Sequence, residues 1–109
     1  MTDMNTSYIQ FGGLTLTRSD GLPPRFMLLG YSLRLSPSEG VILFAILTAD
    51  PHRAPSAAEL ASVLSADRPV SENQVSVLVG RINRKAAFIS GRRLIVGVSH
   101  RGYRVNPYM

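Results

Sequence analysis

The sequence predicts an α+β domain with an N-terminal four-stranded antiparallel sheet, three helices and a C-terminal β-hairpin. Three observations predict it. Through residue 35, short β-prone runs alternate apolar with polar residues and are separated by glycine and proline turns. Between residues 36 and 90, three serines each stand three positions ahead of a glutamate or glutamine, and each pair opens an apolar periodic run. Near the C-terminus two further β-prone runs flank a polar, basic tip.

The elements follow in order. "YIQF", the pair Gly12-Gly13 and "LTLTR" read as a hairpin, with Leu14 and Leu16 on one face and Thr15 and Thr17 on the other. Asp20-Gly21 and Pro23-Pro24 mark the next turn, and "RFMLL" and "YSLRL" supply two more strands about Gly30. In the last of these, Tyr31, Leu33 and Leu35 share a face. "SPSE" then opens the first helix: Ser36 is the N-cap, Pro37 takes a position whose N–H would be unpaired anyway, and Glu39 closes a capping box. Val41, Ile42, Leu43, Phe44, Ile46 and Leu47 leave this helix almost no polar side, which puts it in the core, with Asp50-Pro51 expected to end it. Ser56 and Glu59 cap a second helix that carries Leu60, Val63 and Leu64 up to about Ser65. Ser71 and Gln74 cap a third, whose periodicity runs to about Phe88.

On the third helix, Val75, Leu78, Val79, Ile82 and Ala86 fall in one sector, which is read as the core side. Asn73, Val77, Gly80 and Arg84 lie opposite, with Gln74, Arg81 and Lys85 along one flank. Gly80 should cost roughly 1 kcal/mol against alanine inside a helix, a cost that makes sense where another surface must come close. Leu94 to Val98 and Tyr103 to Val105 form the closing hairpin, with a tip from Ser99 to Gly102. Two capped helices joined by a short turn, the second showing an Arg/Asn/Gln face, followed by a basic hairpin, make a winged helix-turn-helix, with the wing at about 93–105.

Composition narrows the function. The chain has 109 residues, enough for one domain, with residues 1–7 expected to be a flexible tail and 8–106 the folded unit. No apolar run approaches the ~18 residues that cross a bilayer, and "MTDMNTS" lacks the basic start and apolar centre of a signal peptide, so a cytoplasmic protein without a membrane partner is expected. With no cysteine and only the isolated His52 and His100, no metal or other cofactor is expected. The net charge of +5 is unevenly placed: residues 1–70 carry −1, and residues 71–109 carry +6, from six arginines and Lys85 against Glu72 alone. A cationic last third suits a polyanion.

Duplex DNA fits this pattern. A helix about 10–12 Å across enters the major groove, arginine can donate two hydrogen bonds to guanine, asparagine or glutamine can pair with adenine, and Val77 can meet a thymine methyl. Arg81 is the first expectation for base reading, with Asn73, Gln74, Val77, Gly80 and Arg84 around it. Lys85, Arg104 and the tip residues Ser99, His100 and Arg101 are expected on the phosphates or in the neighbouring minor groove. One helix and one wing span at most about a turn of duplex, so a homodimer on DNA is expected.

"LRLSPSEGVILFAILTADPHRAPSAAELASVL" followed by "VSVLVGRINRKAAFISGRRLIVGVSHRGYRV" resembles the effector domain of OmpR/PhoB-type response regulators over about residues 8–106. The markers are "LSPSE", the spacing of Val75, Val79 and Ile82, and "RGYRV". The resemblance implies a base-contacting arginine at Arg81 and a basic helix end at Arg84 and Lys85. At positions where the family places basic or histidine phosphate contacts, this chain has Leu78, Gly80 and Asn83. Ser65 stands at the usual tryptophan, Ser99 at a frequent arginine of the wing, and His100 at the following glycine. A receiver domain of the kind found in the family does not fit within 109 residues, so control by abundance, proteolysis or a partner is expected of a chain that stands alone.

Two other classes compete. A winged helix can serve as a protein-interaction module, here one that turns its cations to another regulator or to RNA polymerase. Val77 and Gly80 on the outer face favour that alternative. Catalysis is not expected: adjacent side chains such as Ser99 and His100 point apart on a strand or tight turn, and no carboxylate or oxyanion hole is evident. Nor does any strand carry the aromatic motif of an RNA-binding sheet.

Overall fold

The computed structural model describes residues 6–19, 24–50, 52–65, 69–98 and 102–107. Four strands, β1 (Thr6–Phe11), β2 (Leu14–Ser19), β3 (Arg25–Leu28) and β4 (Tyr31–Ser32), form an antiparallel sheet in sequential order. The register pairs Phe11 with Leu14, Leu16 with Phe26, and Leu14 with Leu28. Because side chains alternate along a strand, this register gathers Leu14, Leu16, Phe26 and Leu28 on one face, and none is more than 3% exposed. β1 begins at Thr6, two residues inside the stretch read from the sequence as a tail.

β4 is shorter than "YSLRL" suggested. Leu33 still donates its N–H to the Phe26 carbonyl, but the Arg34 carbonyl accepts a hydrogen bond from the Lys85 ammonium, and the chain turns so that Ser36 can cap the next helix. The β3–β4 hairpin turns on Leu29 and Gly30, both at positive φ (52° and 83°). That is the conformation a two-residue hairpin turn favours, and it strains a leucine.

The three helices are α1 (Pro37–Leu47), α2 (Ala57–Leu64) and α3 (Glu72–Ser90). Each opens with a complete capping box, Ser36 with Glu39, Ser56 with Glu59 and Ser71 with Gln74. α1 closes three residues before Asp50, because both the N–H and the hydroxyl of Thr48 bond to the Phe44 carbonyl. α3 ends at Gly91, whose left-handed φ of 72° lets its N–H cap the Ala87 carbonyl. No helix among the described residues is long and apolar enough to cross a membrane.

α1 packs against α2 and α3, with the sheet's apolar face closing the core. Ile42, Leu43, Leu60, Val75, Ile82, Leu94 and Ile95 are each no more than 1% exposed. Burial of each such side chain contributes about 1.5–3 kcal/mol. Strands β5 (Ile95–Val98) and β6 (Gly102–Val105) pair as a separate hairpin. The wing is held down on α2's leading segment: Tyr103 donates its N–H to the Pro55 carbonyl, and a β-carbon on Gly102 would overlap that carbonyl. Here the glycine of "RGYRV" has a packing reason.

Candidate nucleic-acid interface

α3 presents the candidate interface, and its orientation follows from the capping and the apolar stripe. Val75, Val79, Ile82 and Ala86 are buried and Leu78 is half-buried, so the helix is fixed with its opposite side outward. Asn73, Gln74, Val77, Gly80, Arg81 and Arg84 are all exposed on that outer side. Among the described residues, neither Arg81 nor Arg84 has an ion-pair partner. Their guanidinium groups are free to meet an external acceptor.

Lys85 has an internal role that the sequence did not show. Its ammonium donates to the Glu39 carboxylate at 2.6 Å and to the Arg34 carbonyl at 2.9 Å, tying α3 to the start of α1. Glu39 is 2% exposed and also accepts from the Ser36 N–H. Burial pushes the Glu39 carboxyl up. The hydrogen bonds from Lys85 and Ser36, with the charges of Lys85 and Arg81, outweigh that and leave it below its ordinary value. A buried carboxylate needs this compensation, and Lys85 supplies it as a structural tie between the two helices.

Two further residues gain an explanation. Asn83 uses both ends of its amide on one wing residue: the nitrogen donates to the Ile95 carbonyl at 2.9 Å and the oxygen accepts from the Ile95 N–H at 2.7 Å. The residue read as a missing phosphate contact thus clasps α3 to the first strand of the wing. Its place at the edge of the buried sector was the available signal. Ser65 donates its hydroxyl to the Ala61 carbonyl and accepts from the Val70 N–H, bracing the turn between α2 and α3.

The remaining predicted residues divide. Gln74 is exposed, but its side-chain oxygen accepts the Ser71 N–H at 2.9 Å, so only its amide nitrogen is uncommitted to the cap. Gly80 faces open space, with nothing within 4 Å of the point where a β-carbon would sit. Arg104 is exposed on β6 opposite Val96. Ser99, His100 and Arg101 lie outside the described residues. Sequence reasoning missed Phe88, which is 94% exposed. Its spacing from Val77, Arg81 and Arg84 puts it on their side of the helix.

Sheet, helix trio and hairpin define a winged helix-turn-helix of the kind found in the DNA-binding domains of OmpR/PhoB-type response regulators. One similar solved structure is the RstA DNA-binding domain of Klebsiella pneumoniae, determined in complex with the RstA box. Its TM-score is 0.68 and its identity 24%, over 93% of this chain and 98% of that one. Another is the C-terminal domain of the nisin resistance regulator NsrR, a lantibiotic response regulator, with TM-score 0.55 and 26% identity over 88% and 94% of the two chains. No protein-family model and no curated protein matches the sequence.

Proposed function

We propose that this domain is a sequence-specific, double-stranded DNA-binding transcriptional regulator, with α3 in the major groove and the wing against the backbone or minor groove. The observation that carries the reading is the outward, unpaired Arg81 and Arg84 on a helix held rigidly by its cap, its apolar stripe and the Lys85 and Asn83 ties. Arginine's planar guanidinium fork matches guanine and can donate it two hydrogen bonds. The resemblance to a domain determined on its DNA box supports the same conclusion.

Within this reading Arg81 contacts bases, with Asn73, Val77 and Arg84 beside it. Gln74 contributes its amide nitrogen, and Gly80 lets the helix approach closely. Arg104, with Ser99, His100 and Arg101 of the tip, sets the register on the backbone. Lys85 is left out of the contact set because its ammonium is engaged as a tie between α3 and α1. Two copies on adjacent half-sites supply the affinity that one helix and one wing lack.

Selection from a pool of random duplexes tests the proposal. A recurring motif is expected, bound with an affinity that falls steeply with salt, and Arg81→Ala should cost about 1–3 kcal/mol and relax preference at one base pair. Recovery of no motif, together with salt-insensitive binding, would favour a protein-interaction module that uses the same cations on RNA polymerase or another regulator.

A further inference from the structure

The most exposed large apolar side chain of the described surface stands on the helix already assigned to the groove. Phe88 is 94% exposed, against 48% for Val77 and 53% for Val63. Phenylalanine is a middling helix former, so nothing local favours it at this position. Val77, Arg81, Arg84 and Phe88 recur at helical spacing along one outward stripe that contains no acid. At 1.5 Å per residue, Phe88 lies about 10 Å beyond Arg81 and about 16 Å beyond Val77 along the axis. The major groove is about 12 Å wide, so with Val77 and Arg81 over the base edges the ring reaches the far part of the groove or its sugar-phosphate wall.

We infer that Phe88 is a further DNA-contacting residue, laying its ring on the carbon surface of the duplex, either a thymine 5-methyl group or the face of a deoxyribose. This rests on the DNA-binding reading above. The stripe is cationic, and neither of its guanidinium groups makes an ion pair among the described residues, which suits a polyanion and disfavours a cationic partner. α3 also has Leu78 and Gly80 where cations would add phosphate contacts, and Asn83 and Lys85 are engaged inside the molecule. An apolar contact adds affinity that charge does not supply here.

The test begins with Phe88→Ala and Phe88→Leu, checked by thermal melting; at 94% exposure neither should lower Tm. Binding to the selected duplex is then measured across a salt series. Phe88→Ala should weaken binding about 5- to 30-fold with an unchanged salt slope, because no phosphate contact is lost, and Phe88→Leu should restore most of it. Replacing each thymine in turn by deoxyuridine separates the two carbon sources. For a methyl contact, one replacement weakens the wild type and leaves Phe88→Ala unaffected; for a sugar contact, every replacement acts equally on both proteins. Wild-type affinity in Phe88→Ala overturns the inference, as does a loss that changes the salt slope as removal of a phosphate contact would. Failure of the wild type itself to bind any duplex defeats the underlying DNA-binding reading instead.

Discussion

Adjacent cations on α3 have opposite fates. Arg84 is exposed without an ion-pair partner among the described residues, whereas the Lys85 ammonium is held between the Glu39 carboxylate and the Arg34 carbonyl. Arg84→Ala should therefore leave stability unchanged and weaken binding to the selected duplex by about 1–3 kcal/mol, as loss of a base contact does. Lys85→Ala should do the reverse, lowering stability by about 1–3 kcal/mol, toward the lower end because the lysine is 40% exposed, with little change in binding. The pH dependence follows from Glu39, whose carboxyl is held below its ordinary value of 4.5. A depressed carboxyl contributes stability that is complete above that ordinary value and is lost as pH falls through the lowered one. Denaturant melts of wild type and Glu39→Gln should thus differ at pH 7, begin to approach each other as the pH falls below the ordinary carboxyl value, and converge once it has passed the lowered one. This pair was not legible in the sequence. Helical spacing placed Lys85 on the outer flank, and its partner lies 46 residues earlier, where Glu39 was already explained as a cap.

At the scale of elements, local chemistry was readable and long-range docking was not. Ser36, Ser56 and Ser71 each cap the helix that the serine-to-glutamate or serine-to-glutamine spacing predicted, because a capping box is complete within four residues. The buried side of α3 followed from periodicity in the same way. By contrast, the clasp from Asn83 to Ile95 and the seat of Gly102 on Pro55 join elements far apart in the chain, and no local pattern announces them. Asn83→Ala should destabilise the domain by about 1–3 kcal/mol, measured by chemical denaturation, since it strands both polar groups of the Ile95 backbone. Gly80→Ala should act oppositely on stability and binding. Nothing lies near its β-carbon position, so the helix gains about 1 kcal/mol, while a methyl group on the outward side should weaken DNA binding if the helix approaches closely. Leu29, at φ 52° in a tight hairpin turn, offers a control remote from α3: Leu29→Gly or Leu29→Asn should raise Tm without altering binding.

For the whole molecule, the arrangement separates holding from reading. The sheet, α1 and α2 bury a continuous core, and the Lys85 and Asn83 ties fix α3 against α1 and the wing, which leaves one outward stripe whose arginines make no ion pair among the described residues. The order of sheet, helices and hairpin was evident from the sequence because each element carries its own signals, and its likeness to the RstA DNA-binding domain and the NsrR C-terminal domain extends over most of the chain. The most direct test of the account is a paired titration of wild type and Arg81→Ala on the selected duplex and on a random duplex of equal length. The account predicts that Arg81→Ala weakens binding to the selected duplex by about 1–3 kcal/mol and leaves random-duplex binding nearly unchanged. An equal loss on both duplexes would contradict it, because Arg81 would then be contributing charge and no base recognition.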